Sequence, residues 1–141
     1  MFCKKYEDRL LAWSEFRQNL ETSNTPIQDV IDLYNTAPTV SIHTDPWNNS
    51  MWPTPWELVK ENQYCEFCTV LGMCYSLQLT NRFKDSKFEI HIASDEENSE
   101  LLYLLFVDEK IIGIDDNDCV DRGDLATQIF SQRVYAMPQL N

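Results

Sequence analysis

Between residues 64 and 80 the chain is apolar on nearly every side of a helical wheel. Phe67, Val70, Leu71, Cys74, Tyr75 and Leu77 leave no polar stripe, which is the mark of a helix enclosed in a core. Immediately before it stands Trp52-Pro53-Thr54-Pro55-Trp56-Glu57-Leu58. Thr54 is an N-cap with Glu57 three residues on, a capping box, and Pro55 fills the first helical position, where its missing N–H costs nothing. A short helix to about residue 62 follows. Upstream, Tyr6, Leu10, Trp13, Phe16 or Arg17, and Leu20 recur at steps of three and four, predicting an amphipathic helix that closes near residue 21. Thr25-Pro26-Ile27-Gln28 repeats the cap-and-proline device. Ile27, Val30, Ile31 and Tyr34 form the stripe of a second helix, which Ala37-Pro38 ends because the residue before proline leaves the α region. Asp45-Pro46 and Asn48-Asn49-Ser50 mark 39–52 as a loop.

After residue 86 the period changes to two. Phe88, Ile90 and Ile92 alternate with Glu89 and His91, a half-buried strand whose polar side carries His91, with an edge position expected. Residues 101–107 are a continuous apolar run, read as a central strand covered on both faces. Asp108-Glu109-Lys110 turns the chain into a third strand over 111–114. Leu125, Ile129 and Phe130 are read as the inner side of a last helix, from Gly123 or Asp124 to about Val134. The expected architecture is α+β in one domain spanning 1–141. N-terminal helices and a central buried helix pack on an antiparallel sheet of about three strands, and a C-terminal helix closes the chain.

Composition narrows the chemistry. Eleven basic against 23 acidic residues give a net charge of −12, which disfavours nucleic acid and anionic membranes as partners and suits a basic partner surface. Three glycines in 141 residues leave no phosphate-cradling loop of either common type. The five cysteines, Cys3, Cys65, Cys68, Cys74 and Cys119, are odd in number. Three share one helix, so a reducing compartment without disulfides is expected. The first residues carry no long apolar segment of the signal-peptide kind, and no run reaches the roughly 20 residues that span a bilayer.

Cys65-Glu66-Phe67-Cys68 has CxxC spacing, but a zinc ribbon needs a second pair, and thiols inside an apolar helix serve as small hydrophobes. A nucleophilic cysteine needs an imidazole base and an orienting carboxylate. The histidines are His43 and His91; Cys65 at a helix N-terminus, His91 and Asp115 offer the chain order Cys, His, Asp. The cluster Asp115, Asp116, Asp118, Asp121 and Asp124 invites a calcium reading, but the spacing from Asp116 places Val120 at a ligand position, so a solvated loop is expected. Arg122-Gly123-Asp124 is a chance tripeptide. No metal and no cofactor are expected. Trp47, Trp52 and Trp56 lie within ten residues; tryptophans are frequent interface anchors, and they serve equally as a clasp over the central helix. They are the candidate protein-binding residues.

Two resemblances rest on these segments. Residues 64–68 with the following helix, and 99–115 (Ser99-Glu100-Leu101-Leu102-Tyr103 through Gly113-Ile114-Asp115), resemble the core of transglutaminase-like cysteine proteins. In that family a nucleophilic cysteine opens the helix, a histidine starts a strand and an aspartate closes the next. Asp115 matches the aspartate. Ser99 or Glu100 stands where the histidine belongs, and aligning Phe67-Cys68 with the family pattern puts Tyr64 in the nucleophile slot, one residue from Cys65. The resemblance thus implies a core stripped of its catalytic set. Asp45-Pro46, residues 52–58, Val70 to Thr80, Lys87 to His91 and Pro138-Gln139-Leu140 resemble small virion-associated proteins of T4-like phages that infect marine cyanobacteria. This implies a non-catalytic structural component of a particle, at neck or tail, repeated by particle symmetry, with other virion proteins as partners and the virion as its location. The alternatives are a transglutaminase-like acyl-transfer or hydrolytic enzyme using Cys65, His91 and Asp115, and a phage protein outside the particle that binds a host protein.

Overall fold

The computed structural model describes residues 1–41 and 44–139. Four helices come first: α1 (Tyr6–Leu20), α2 (Pro26–Tyr34), α3 (Pro55–Glu61) and α4 (Glu66–Gln78). Five strands follow: β1 (Phe88–Asp95), β2 (Glu100–Val107), β3 (Lys110–Ile112), β4 (Val120–Asp121) and β5 (Ile129–Ala136), with 3-10 turns at Asn49–Met51 and Arg122–Asp124. The strands form one antiparallel sheet in the order β4-β3-β2-β1-β5.

The α+β class holds, and two features of the expected sheet change. The sheet has five strands. The helix expected over 123–134 is instead a 3-10 turn and then β5. Ile129, Phe130, Val134 and Tyr135 are β-branched or aromatic and lose rotamer freedom in a helix. Antiparallel pairing with β1, from Asp95↔Ile129 to Glu89↔Ala136, satisfies the backbone that the helix would have satisfied. β1 therefore lies inside the sheet, not at its edge, and His91 is buried.

Alternation divides the sheet into two faces. Phe88, Ile90, Leu105 and Val107 meet α4 and the other helices in the main core. Ala93, Leu104, Phe106 and Ile111 form a smaller core on the opposite face, covered by Ile114, Val120, Leu125 and Ile129. β2 is central, as read, but buried on both faces only from Leu104 onward; Leu101 is 44% exposed.

Every residue of α4 except Glu66 and Thr69 is buried. Each fully buried Leu, Val or Phe there contributes about 1.5–3 kcal/mol relative to exposure. The few polar groups it carries are paired inside. The Ser76 hydroxyl donates to the Gly72 carbonyl at 2.9 Å, accepts from Trp13 Nε1 at 2.9 Å, and lies 3.0 Å from the Tyr34 hydroxyl. This network ties α1 and α2 to the central helix.

α3 carries its capping box: Glu57 N–H donates to Thr54 Oγ1 (3.3 Å) and Thr54 N–H to Glu57 Oε1 (3.2 Å). Its last carbonyls, orphaned in any helix, accept from the buried Arg9: Nε reaches the Val59 oxygen at 3.0 Å and Nη2 that of Lys60 at 3.0 Å. The second expected cap is not formed. Thr25 turns its hydroxyl to Asp29 Oδ1 (3.1 Å) and leaves the α2 N–H groups alone.

Candidate protein-interaction site

The loop ahead of α3 is built by local side-chain to backbone bonds. Asp45 Oδ1 accepts the Trp47 N–H at 2.9 Å, an Asx turn, and the 3-10 turn then delivers Trp52 to the core. Tyr75, on α4, donates its hydroxyl to the Pro53 carbonyl at 2.6 Å. One side of the central helix thus holds the proline elbow.

The three tryptophans do different work. Trp52 is half-buried, with its ring centroid 4.9 Å from Phe67 of α4 and 4.7 Å from Tyr135 of β5, so it clasps helix to sheet. Trp56 is 50% exposed; it sets an edge against Trp13 at 5.4 Å, and the Arg17 guanidinium lies 4.3 Å over Trp13 and 5.9 Å from Trp56. Trp47 is 43% exposed. Its carbonyl accepts from the Tyr135 hydroxyl at 3.1 Å, and Arg133 sits 5.7 Å from its ring. β5 therefore props the loop, with Arg133 over one side of the indole and the ring still partly exposed.

Beside Trp47 runs a groove of ≈ 780 Å³ whose walls include Val40, Asp45, Glu66, Phe67, Leu101 and Tyr103. A neighbouring pocket shares Val40, Glu66 and Tyr103 and adds Asp115 and Asp116. The surface there is apolar and aromatic with a carboxylate fringe. It suits an apolar anchor flanked by cations, since indole and phenol faces attract cations and the carboxylates reinforce them. Burial, with Glu66, Cys65 and Asp45 adding to it, raises the Tyr103 hydroxyl above its ordinary range, so Tyr103 stays a neutral donor.

The catalytic alternative is not assembled. Cys65 is the buried N-cap of α4, in the main core. His91 is on the other face of the sheet, stacked on Phe106 with centroids 3.8 Å apart, its Nδ1 2.7 Å from Ser131 Oγ and its Nε2 3.3 Å from Glu89 Oε1. An odd strand position puts His91 beside Leu104 and away from α4. Asp115 accepts the Asn117 N–H at 2.9 Å, another Asx turn. Ser99 sits in a positive-φ turn (53°), and Glu100 is exposed. Tyr64 is buried; its hydroxyl has no hydrogen-bond partner among the described residues and is pushed well up in pKa by burial. His43 and Leu140 lie outside the described residues.

None of the five cysteines is in a disulfide; Cys3 is exposed and Cys119 half-buried. A hydrogen bond with Cys65, together with burial, raises Cys68 far out of the thiolate range, while the Cys68 S–H reaches Thr44 Oγ1 at 3.2 Å. Burial alone does the same to Cys74. Among the described residues no three His, Cys, Asp or Glu side chains could hold a metal ion, and no helix is long and apolar enough to cross a membrane.

Leu101, Tyr103, Arg133 and Tyr135 escape sequence reasoning as site residues. Reading 101–107 as covered on both faces hides the outward-looking Leu101. Arg133 and Tyr135 sit in a segment read as helix. Period-two alternation carried back from Leu105 to Tyr103 and Leu101 is the one signal that reaches part of the groove. No protein-family model matches this chain, and no curated protein matches it.

Proposed function

We propose that this protein is a non-catalytic structural component of a tailed-phage particle, at its neck or tail, working through protein–protein contacts centred on Trp47. The observation that carries the reading is the half-exposed indole of Trp47, on a backbone pinned by Asp45 and Tyr135, at the mouth of an apolar groove. A large aromatic anchor already ordered before binding loses little entropy on association. Trp56 is a second, separate contact on the helical side, and Trp52 braces Phe67 and Tyr135 from inside. The partner contributes an apolar side chain to the groove and a basic fringe to meet Asp45 and Glu66. Resemblance to phage virion-associated proteins supplies the particle, and the net charge of −12 supports a protein partner over nucleic acid or an anionic membrane. The core is read as that of a transglutaminase-like protein turned to structural use. The separation of Cys65 from His91 by the full sheet supports that use.

The test is complementation. Particles assembled with Trp47→Ser in place of the natural chain lose the protein, or lose infectivity, while the variant keeps its melting temperature. Equal incorporation of Trp47→Ser and the natural chain overturns the reading. Abundance in infected lysate with none in particles favours the host-binding alternative.

A further inference from the structure

The two edges of the sheet are treated very differently. At one end β4 is two residues long, carries Asp121, and runs straight into a 3-10 turn. That is a blunted edge of the kind that prevents strand addition. At the other end β5 is eight residues long and, among the described residues, pairs with no strand but β1. Its outer backbone row faces solvent, and residues 130–134 are all exposed. It contains no proline. From Leu125 to Gln139 the chain has no carboxylate and a single cation, Arg133, although the whole chain carries −12. Such an edge is a ready template for another strand.

We infer that β5 is a self-pairing edge, joining two copies of this chain antiparallel across a two-fold axis between Gln132 and Arg133 into one ten-stranded sheet. The side-chain order identifies the occupant. Phe130 pairs with Ser94 and Tyr135 with Ile90, placing both on the α4 side of the sheet. Ser131 pairs with Ala93, Val134 with His91, Ile129 with Asp95 and Ala136 with Glu89, placing all four on the other side. The register shift between Ile92 and Ala93 leaves Gln132 as the extra residue. Its amide reaches Ser94 Oγ at 2.9 Å, on the Phe130 side, where Arg133 also lies.

An antiparallel self-pair about that axis sets Phe130 opposite the second copy's Tyr135, Ser131 opposite Val134, Ile129 opposite Ala136, and Gln132 opposite Arg133. Every pair falls on a shared face. Phe130 gains an aromatic cross-strand neighbour, the kind of pair that stabilises sheets. A shift by one residue would oppose inner to outer positions throughout. The same patch meets itself, as a two-fold interface requires. Because the strand holds no carboxylate, two acidic molecules approach here without opposing like charges. The contact shares Arg133 and Tyr135 with the Trp47 site but does not rest on the particle reading.

The experiment uses the full chain in sedimentation equilibrium with charge-swapped pairs. The natural chain shows a reversible monomer–dimer equilibrium. Gln132→Glu with Arg133→Glu puts four carboxylates about the axis and weakens dimerisation by about a hundredfold or more. Gln132→Lys with Arg133→Lys does the same with ammonium groups. Mixing the two variants one to one restores a dimer, now of one copy of each. Circular dichroism shows each variant folded, so loss of pairing is distinguished from loss of structure. A natural chain monomeric at every concentration overturns the inference. So does a dimer that survives both double variants, which would use another surface, or a mixture that stays monomeric.

Discussion

The clearest test of how α4 organises the helices is Gly72→Ala. In isolation the change should stabilise, because alanine in a helix interior is favoured over glycine by about 1 kcal/mol. Here the added Cβ would lie 2.5 Å from Tyr34 Cε1 and 2.9 Å from Cζ, against an ordinary carbon–carbon contact of about 3.5–4 Å. The ring must move by about 1 Å. It is not free to do so, because its hydroxyl is bonded to Ser76 and the rings of Phe2 and Tyr64 pack against it in T-shaped contacts at 5.6 and 5.7 Å. Overpacking of this kind costs about 1–3 kcal/mol, and straining a buried hydrogen bond adds about 1–3 kcal/mol. Less the helix gain, the net is a loss of about 1–5 kcal/mol, centred near 3. At about 0.3 kcal/mol per kelvin for a chain of this size, the midpoint falls by about 10 °C. Thermal melts by circular dichroism read it directly. In a Tyr34→Leu background the same change becomes neutral or stabilising, and the double-mutant cycle isolates the clash. A Gly72→Ala protein more stable than the parent would refute the close approach of α2 to α4.

Three further outcomes follow from the geometry. Alkylation with iodoacetamide at neutral pH should modify Cys3 readily and Cys119 slowly, with Cys68 and Cys74 reacting only after denaturation; alkylation of Cys65 faster than Cys3 would revive the acyl-transfer reading. Burial holds the His91 imidazole below its ordinary value of 6.5, with Glu89 opposing. The unfolded chain therefore binds the proton first, and stability falls as pH drops through about 6.5 toward the folded value. His91→Gln should flatten denaturant midpoints across that window, and an unchanged slope would contradict the assignment. Thr54→Ala removes one half of the α3 capping box and should cost about 1 kcal/mol in urea unfolding, whereas Thr25→Ala, whose hydroxyl caps no N–H, should cost α2 less.

The sequence made α4 and its entry legible because two strong local signals agree there: an all-apolar helical run, and a cap with proline and glutamate in fixed places. β1 was legible from alternation, and β2 from its continuous apolar run and the turn at Asp108. β5 was not, because Leu125, Ile129 and Phe130 satisfy a helical spacing as well as they satisfy a strand. What decides between them is pairing with β1, forty residues away, which no local pattern encodes. The same non-local fact moved His91 from an edge to the interior and put it behind the sheet from Cys65. Trp47, Trp52 and Trp56 were legible as a group, but their division of labour was not. Trp52 turns inward only because Phe67 and Tyr135 come together from α4 and β5.

The central claim is that this chain works as a fixed surface within a particle, and absolute quantification by mass spectrometry of purified particles tests it most directly. The account predicts a constant copy number per particle, a small integer multiple set by the symmetry of neck or tail, unchanged by high-salt washing. Particles that lack the chain, or carry it in amounts that fall with each wash, would contradict it.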